Sequence, residues 1–305
     1  MFSLAIHGGA GTILKTQLTP EKEQAYHSGL MQALRTGEAI LKSGGSALDA
    51  VCAAVQELEN NSLFNAGKGS VFTYDEKHEM DASVMTGHDR SAGAVAGVSG
   101  VRNPVLLARL VMEQTDHVML CGEGAMQLAR EHKLPFESED YFFDAYRHEQ
   151  WKEVHAEGKV SMDHRADKKF GTVGAVALDK HGNLAAATST GGMTNKRYNR
   201  IGDTPVIGSG NYANNSTCAV SCTGHGEFFL RSVVAYDISC LMEYKGLSLE
   251  EACRTVVMDK LVQIGGEGGV IALDAKGNIS LTFNSEGMYR GSLREGEQPF
   301  VAIYK

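Results

Sequence analysis

No apolar run in this 305-residue chain approaches the roughly 18 residues that a membrane-spanning helix needs. The amino terminus, Met1 to His7, has neither the basic start nor the cleavage site of a secretory signal, so a cytoplasmic protein is expected. Positive charge is in short supply. With 29 Lys and Arg against 37 Asp and Glu the net charge is −8, which argues against nucleic acid or an acidic membrane surface as a partner. The six cysteines (52, 121, 218, 222, 240 and 253) contain no CxxC pair and fall inside apolar patterns. They read as reduced, buried thiols. Standard catalytic signatures are missing as well. His78-Glu79 is followed by Met80-Asp81-Ala82 and completes no HExxH, Gly67-Lys68 lacks the rest of a phosphate loop, and neither GxSxG nor a GxGxxG after a strand is present.

Glycine is abundant instead. Its 35 residues exceed the usual share of about 7%, and they cluster in loops, where a bare backbone can approach a ligand or ion closely. The length allows two domains or one large layered domain. An apolar run from Phe2 to Ile6 feeds a glycine loop, His7-Gly8-Gly9-Ala10-Gly11. Thr19-Pro20 and Ser46 with Asp49 mark two helix starts, the first helix stopping at Gly44-Gly45 and the second running to Leu58. A turn-rich loop from Glu59 to Gly69 follows. Strands are expected at Ser70 to Tyr74, Asp81 to Met85, Ser91 to Val101 and His117 to Leu120, and helices from Asn103-Pro104 to Glu113 and from Gly124 to His132. Between Gly158 and Lys169 the chain is charged and aperiodic, with Val160 and Met162 its sizeable apolar groups. Such a segment cannot bury enough surface to offset its ordering entropy, and it reads as an exposed linker.

In the second half, Gly174 to Asp179 followed by Gly182-Asn183 echoes Gly269 to Asp274 followed by Gly277-Asn278, at a constant shift of 95. Both read as hairpins. Between them lie a strand from Ala219 to Cys222, a long helix from Glu227 to Tyr244 and a helix capped by Ser248 with Glu251. Strands that open and close the half around intervening helices point to two sheets held between helix layers.

The chain is organised around Lys169-Phe170-Gly171-Thr172-Val173-Gly174, where the charged linker meets a strongly apolar strand. A hydroxyl stands at the first residue of a buried strand behind an easily cleaved tether. That arrangement suits a cut before Thr172 and a threonine nucleophile at the new amino terminus. Two further threonines, Thr190 in Thr188-Ser189-Thr190-Gly191-Gly192 and Thr223 in Ser221-Cys222-Thr223-Gly224-His225-Gly226, each end a strand at a glycine turn. One such threonine alone is more often structural, since threonine is a good strand former and local hydrogen-bonder. Three of them, with Arg200 and Asp203 in the turn-rich loop between, shift the balance toward chemistry.

The motifs Ile6-His-Gly-Gly-Ala-Gly11, Leu63-Phe-Asn-Ala-Gly67, Gly171-Thr-Val-Gly174, Thr188-Ser-Thr-Gly-Gly-Met193, Arg200-Ile-Gly-Asp-Thr-Pro205 and Thr223-Gly-His-Gly226 together resemble the plant-type (type III) L-asparaginase and isoaspartyl dipeptidase family of amino-terminal-nucleophile hydrolases, across essentially the whole chain. The resemblance implies an α+β fold, the four-layer αββα sandwich, and hydrolysis of β-aspartyl dipeptides and L-asparagine. It implies self-cleavage between Gly171 and Thr172 into an α chain (1–171, including the linker) and a β chain (172–305) of one structural domain. By the same resemblance Thr172 is the nucleophile, Thr190 orients it, and Thr223 with the amide of Gly224 forms the oxyanion hole. Arg200 takes the substrate carboxylate, Asp203 and the carbonyl of Gly226 take its ammonium, and Asn65 assists processing. No cofactor is implied for catalysis. A structural sodium ion is, on main-chain oxygens of Leu58, Glu59, Asn61, Phe64, Ala66 and Lys68, although Lys68 stands where an apolar residue is common. A dimer of αβ units, a heterotetramer, is also implied. Two rivals remain at this point: a glycosylasparaginase-like amidase, which lacks the His-Gly-Gly-Ala-Gly opening, and an unprocessed amino-acid-binding protein.

Overall fold

The structure, a computed structural model, describes residues 1–156 and 171–305; the expected linker from Gly158 to Lys169 lies outside the described residues. The chain begins with β1 (Ser3–Gly11), and local signals then start the helices. Thr19 Oγ1 accepts from Lys22 N and Pro20 fills the first helical position of α1 (Pro20–Lys42). Ser46 caps α2 (Ala47–Glu59) by accepting from Asp49 N. Next come β2 (Met80–Thr86), β3 (Ala92–Val98), α3 (Pro104–Gln114), β4 (Met119–Cys121), α4 (Gly122–Glu131), α5 (Glu139–Phe142) and α6 (Ala145–Ala156). The second half contains β5 (Val173–Leu178), β6 (Leu184–Thr190), β7 (Asn211–Ala213), β8 (Cys218–Gly224), α7 (Gly226–Ser232), α8 (Val234–Lys245) and α9 (Leu249–Arg254). A π-helical turn, Thr255–Lys260, extends α9, and β9 (Gly268–Asp274), β10 (Ile279–Phe283), β11 (Gly287–Arg294) and β12 (Phe300–Tyr304) close the chain.

The strands form an eight-stranded sheet in the order β12-β11-β1-β5-β6-β2-β3-β4 and a four-stranded sheet in the order β10-β9-β8-β7. The two hairpins that echo each other in sequence, β5–β6 and β9–β10, therefore belong to different sheets. Helices α1, α2 and α3 pack on the large sheet, α8 and α9 pack on the small one, and β1, β5 and β6 meet β8 and β9 across the middle. Alternate residues serve the two interfaces. Leu4, Ile6, Val173, Ala175 and Ala187 join Leu30, Val51 and Leu58 in one buried cluster, while Ala5, Val176 and Ala186 join Val220, Ile271, Ile238 and Val257 in another. Being buried on both faces, β5 reads in sequence as a continuous apolar run rather than an alternating one. Among the described residues no helix is long and apolar enough to cross a membrane.

Several expectations are corrected. The glycine run His7 to Gly11 is no loop: β1 continues through it with an irregularity between His7 and Gly9, because β11 stays paired with it as far as Gly11 while β5 pairs only up to His7. Ser70 to Tyr74 forms no strand; its backbone is used up by loops and side chains, with Val71 N donating to Asn65 Oδ1 and Phe72 O accepting from Asn195 N. The long helix expected from Glu227 to Tyr244 breaks at Val233, which takes φ 48°. The first amides of α8 are satisfied there by another loop, Ala235 N donating to Ser209 O and Tyr236 N to Gly208 O. All six cysteines are free thiols, yet Cys121 is exposed and Cys240 half-buried, so only four are buried.

Candidate active site

Strand register brings the junction to the middle of the large sheet. Val173 lies opposite Ser189 and Gly174 opposite Thr188, so Thr172, one residue before β5, arrives level with Thr190 at the end of β6. Thr172 Oγ1 donates to Thr190 Oγ1 at 3.2 Å, and Thr190 Oγ1 donates to the carbonyl of Gly171 at 3.0 Å. Gly192 N, in the turn after β6, donates to Thr190 Oγ1 at 3.0 Å. The Thr190 hydroxyl therefore touches both the Thr172 hydroxyl and the carbonyl of the bond between Gly171 and Thr172. His7 Nδ1 lies 2.9 Å from the Thr172 carbonyl oxygen, and burial pushes the His7 ring down to about 3, so it stands neutral.

Asn65 packs against this point. Its Nδ2 donates to Gly192 O at 2.7 Å, its Oδ1 accepts from Val71 N at 3.0 Å, and its carbonyl accepts from Gly191 N. A Cβ at Gly171 would stand 2.7 Å from the Asn65 Cβ, which is why residue 171 must be glycine for the junction to sit here. Glu59, given by the family resemblance a main-chain role, uses its side chain to anchor β6 through Ser189, outside the cleft lining. The fully buried carboxyl accepts from Ser189 Oγ at 2.6 Å, Val105 N and Asn103 Nδ2, and burial raises its pKa to about 7.

A narrow cleft opens beside the junction, lined by Gly171, Thr172, Thr190, Arg200, Asp203 and Gly224 among others. Its free volume is about 20 Å³, room for one water molecule. Gly226, the first residue of α7, also lines it, and a Cβ there would crowd both Arg200 and Asp203. Asp203 is buried, its Oδ2 has no hydrogen-bond partner among the described residues, and burial raises its pKa to about 7. An orphaned carboxylate oxygen facing a cleft is the feature expected of a cation-binding group. Arg200 is already held on one side. Its Nε and Nη2 donate to Glu227 Oε1 and Oε2 at 2.8 and 2.7 Å, leaving the end-on pair of guanidinium donors unused by Glu227. Thr223 is fully buried and lies behind the cleft lining, its Oγ1 accepting from Ala10 N at 3.2 Å. That bond uses a lone pair and leaves the hydroxyl hydrogen to donate elsewhere.

A family model described as asparaginase matches residues 1–303. The chain belongs to the asparaginase family. An Escherichia coli (strain K12) protein named isoaspartyl peptidase is 54% identical over 99% of this chain and 96% of its own length. A zebrafish (Danio rerio) protein and a human protein, both named isoaspartyl peptidase/L-asparaginase, are 42% and 40% identical, each over 97% of this chain and 94% of their own. In this asparaginase-family chain the structure thus brings together Gly171, Thr172, Thr190, Arg200, Asp203, Gly224 and Gly226 at one cleft, with Asn65 and Thr223 against its walls. Two contributors were missed in sequence. Glu227 reads in sequence only as a helix start, although it directly follows the Thr223 to Gly226 motif. His7 stands in the sequence reading at the opening of a glycine run and inside a family motif, with no role of its own.

Proposed function

We propose that this chain is a self-processing hydrolase of β-aspartyl dipeptides and L-asparagine, with Thr172 as its nucleophile. One observation carries the reading: the Thr172 hydroxyl, the Thr190 hydroxyl and the Gly171 carbonyl form a contiguous hydrogen-bonded set at the junction. The packed helix, sheet, sheet and helix layers are in keeping with the four-layer αββα sandwich of amino-terminal-nucleophile hydrolases. On this reading the α chain (1–171) and β chain (172–305) share one structural domain, and two αβ units associate into a heterotetramer.

Processing would run as an oxygen attack on the neighbouring carbonyl. Thr172 Oγ1 adds to the Gly171 carbonyl carbon while the Thr190 hydroxyl holds the developing oxyanion. The C–N bond then breaks, the amide nitrogen taking the proton given up by the hydroxyl and becoming the free Thr172 amine, and leaves an ester, which water opens to a Gly171 carboxylate and the restored Thr172 hydroxyl. With Gly171 in place the cleft has room for one water, so departure of the new carboxyl end is what makes space for substrate. The amine has a reference pKa of about 7.7–8.0 and can deprotonate the hydroxyl of the same residue, which an amide nitrogen cannot do. In turnover Thr172 Oγ1 attacks the substrate side-chain carbonyl, and the Thr223 hydroxyl and Gly224 amide hold the oxyanion. Such donors are commonly worth about 2.7–4 kcal/mol each. The leaving ammonia or amino acid takes the proton, and water releases L-aspartate from the ester. The end-on face of Arg200 takes the substrate carboxylate, while Glu227 fixes the other face. Asp203 takes the ammonium with the Gly226 carbonyl. Incubating purified protein with β-Asp-Leu and with L-asparagine tests the reading: both are expected to yield L-aspartate, and release from neither would overturn it.

The Asp203 role has a pH signature. The free carboxyl, raised by burial to about 7, is neutral below that pH and attracts an ammonium only above it. KM is therefore expected to rise as pH falls through about 7. Steady-state kinetics across that range check it, and a KM flat from about pH 8 to about pH 5.5 would remove Asp203 from substrate binding.

The loop from Leu58 to Lys68 is suited to a sodium ion held by main-chain oxygens. A Cβ at Gly67 would press on Glu59 O at 2.5 Å and one at Gly69 on Ser62 O at 2.7 Å, so the glycines keep a space rimmed by carbonyls. Phe64 and Ala66 each accept one amide through their carbonyl oxygens and retain a second lone pair, whereas the Leu58 carbonyl is approached by the amides of both Asn60 and Asn61. The Lys68 ammonium stands over the Tyr141 ring, 5.3 Å from its centroid, a contact that turns it aside and leaves the main-chain oxygen to serve. Bound sodium would stiffen the segment that carries Asn65 and would take no part in chemistry. Exchanging sodium for a bulky organic cation is expected to lower the melting temperature by roughly 5 °C; an unchanged melting curve would argue against the site.

A further inference from the structure

His7 sits between the two sheets, wholly buried, and its hydrogen bonds form a chain whose direction is fixed. The Thr172 carbonyl, 2.9 Å from Nδ1, can only accept, so Nδ1 carries the proton. In a neutral ring Nε2 is then an acceptor, and the hydroxyl of Ser221, 2.9 Å away, must donate to it. Ser221 having spent its hydrogen, the Thr188 hydroxyl, which also lies 3.3 Å from Gly210 O, donates over the shorter 2.7 Å contact to Ser221. Asn211 Nδ2 in turn donates to Thr188 Oγ1 at 3.3 Å. His7, Thr188, Asn211 and Ser221 are all fully buried, and they come from β1, β6, β7 and β8. Gly174 makes the arrangement sterically feasible, because a Cβ there would collide with the Ser221 hydroxyl and with His7 Nε2. The chain ends on the backbone of the residue read above as the nucleophile.

We infer that His7 is a positioning residue for that nucleophile, holding the Thr172 carbonyl so that the amine and hydroxyl of Thr172 stay aimed once it becomes a chain terminus. The inference rests on the proposed cut before Thr172. While the chain is continuous, peptide planes on both sides hold residue 172. After the cut only the plane toward Val173 remains, and rotation about the Thr172 Cα–C bond swings amine and side chain together. That plane is then the one frame from which both groups project, and a donor fixed in the core on its carbonyl oxygen keeps the plane from tilting. It acts on the attacking groups and not on Arg200 or Asp203, so its loss falls on turnover and leaves substrate affinity alone.

Two substitutions separate the ring nitrogens. His7→Asn keeps an amide donor near the place of Nδ1, whereas His7→Gln reaches toward Ser221 and offers nothing at Nδ1. Measured on cut material, His7→Gln is expected to lose kcat by at least about tenfold with KM within about twofold of the parent, and His7→Asn to stay within about threefold in kcat. Equal losses in both variants, a loss confined to KM, or full activity in His7→Gln would overturn the inference. Nitrogen NMR of the unaltered, histidine-labelled protein gives an independent readout that does not depend on either variant folding. A neutral Nδ1–H ring at His7 from about pH 5 to about pH 8 is expected; an Nε2–H tautomer or a ring that protonates in that range would contradict it. An unaltered protein that is uncut or inactive would sink the proposed function instead, while the NMR result would still judge the hydrogen-bond chain.

Discussion

Replacing Thr172 by alanine is expected to leave one continuous chain of 32.8 kDa with no measurable hydrolysis, a loss of at least about 10⁴-fold. The expected effect is chemical and not one of folding. Thr172 is buried, and the hydroxyl removed makes a hydrogen bond at 3.2 Å to Thr190, a contact worth about 1 kcal/mol net. The His7 contact uses the main-chain carbonyl and survives the substitution. The variant is therefore expected to fold and to melt within a few degrees of the parent while lacking the hydroxyl proposed to attack the Gly171 carbonyl carbon. A denaturing gel, a melting curve and an L-aspartate assay on the same preparation decide it. Two bands from the alanine variant would mean that some other group cuts the chain.

Replacing Arg200 by alanine is expected to permit cutting and to cripple substrate use. Among the described residues the Arg200 side chain lines the cleft, makes no hydrogen bond to Thr172, Thr190 or Gly171, and pairs with Glu227. Two consequences would combine in the variant. The substrate carboxylate loses its two-pronged partner, and the Glu227 carboxylate, freed of its guanidinium, is left behind as an unpaired negative charge that repels the incoming anion. Truncating one member of a hydrogen-bonded charge pair in a binding site costs about 2–5 kcal/mol, and here the cost is expected mainly in KM. Two bands on a gel with KM raised at least about thirtyfold are the expected results. Normal kinetics in the variant would refute the carboxylate role.

What the sequence made legible was mostly local. The caps at Thr19, Ser46 and Ser248 act within three residues, and the structure has them as read. The apolar strand after Thr172, the β5–β6 and β9–β10 hairpins, and the gathering of Thr172, Thr190, Arg200 and Asp203 near one cleft were also visible, the last through the family resemblance. The missed features are long-range. His7 meets a residue 165 positions away and Arg200 one 27 positions away, and no local pattern announces either pairing. The break at Val233 is a further case. A β-branched residue in left-handed backbone carries no helix-stop signal in sequence, and what terminates the helix there is the carbonyls of Gly208 and Ser209 arriving from a separate loop. Ser70 to Tyr74 failed in the opposite sense: it has the composition of a strand, but Asn65, Asn195 and the turn at Thr73 to Lys77 take its backbone groups.

The account depends on a free amine at Thr172, and the most direct measurement is amino-terminal sequencing with intact mass on a preparation that is turning over β-Asp-Leu. Two chains in equal amount, one starting at Met1 (or Phe2 after methionine removal) and one at Thr172, are the predicted result. Activity residing in a single uncut polypeptide, or in a second chain that starts elsewhere, would contradict it.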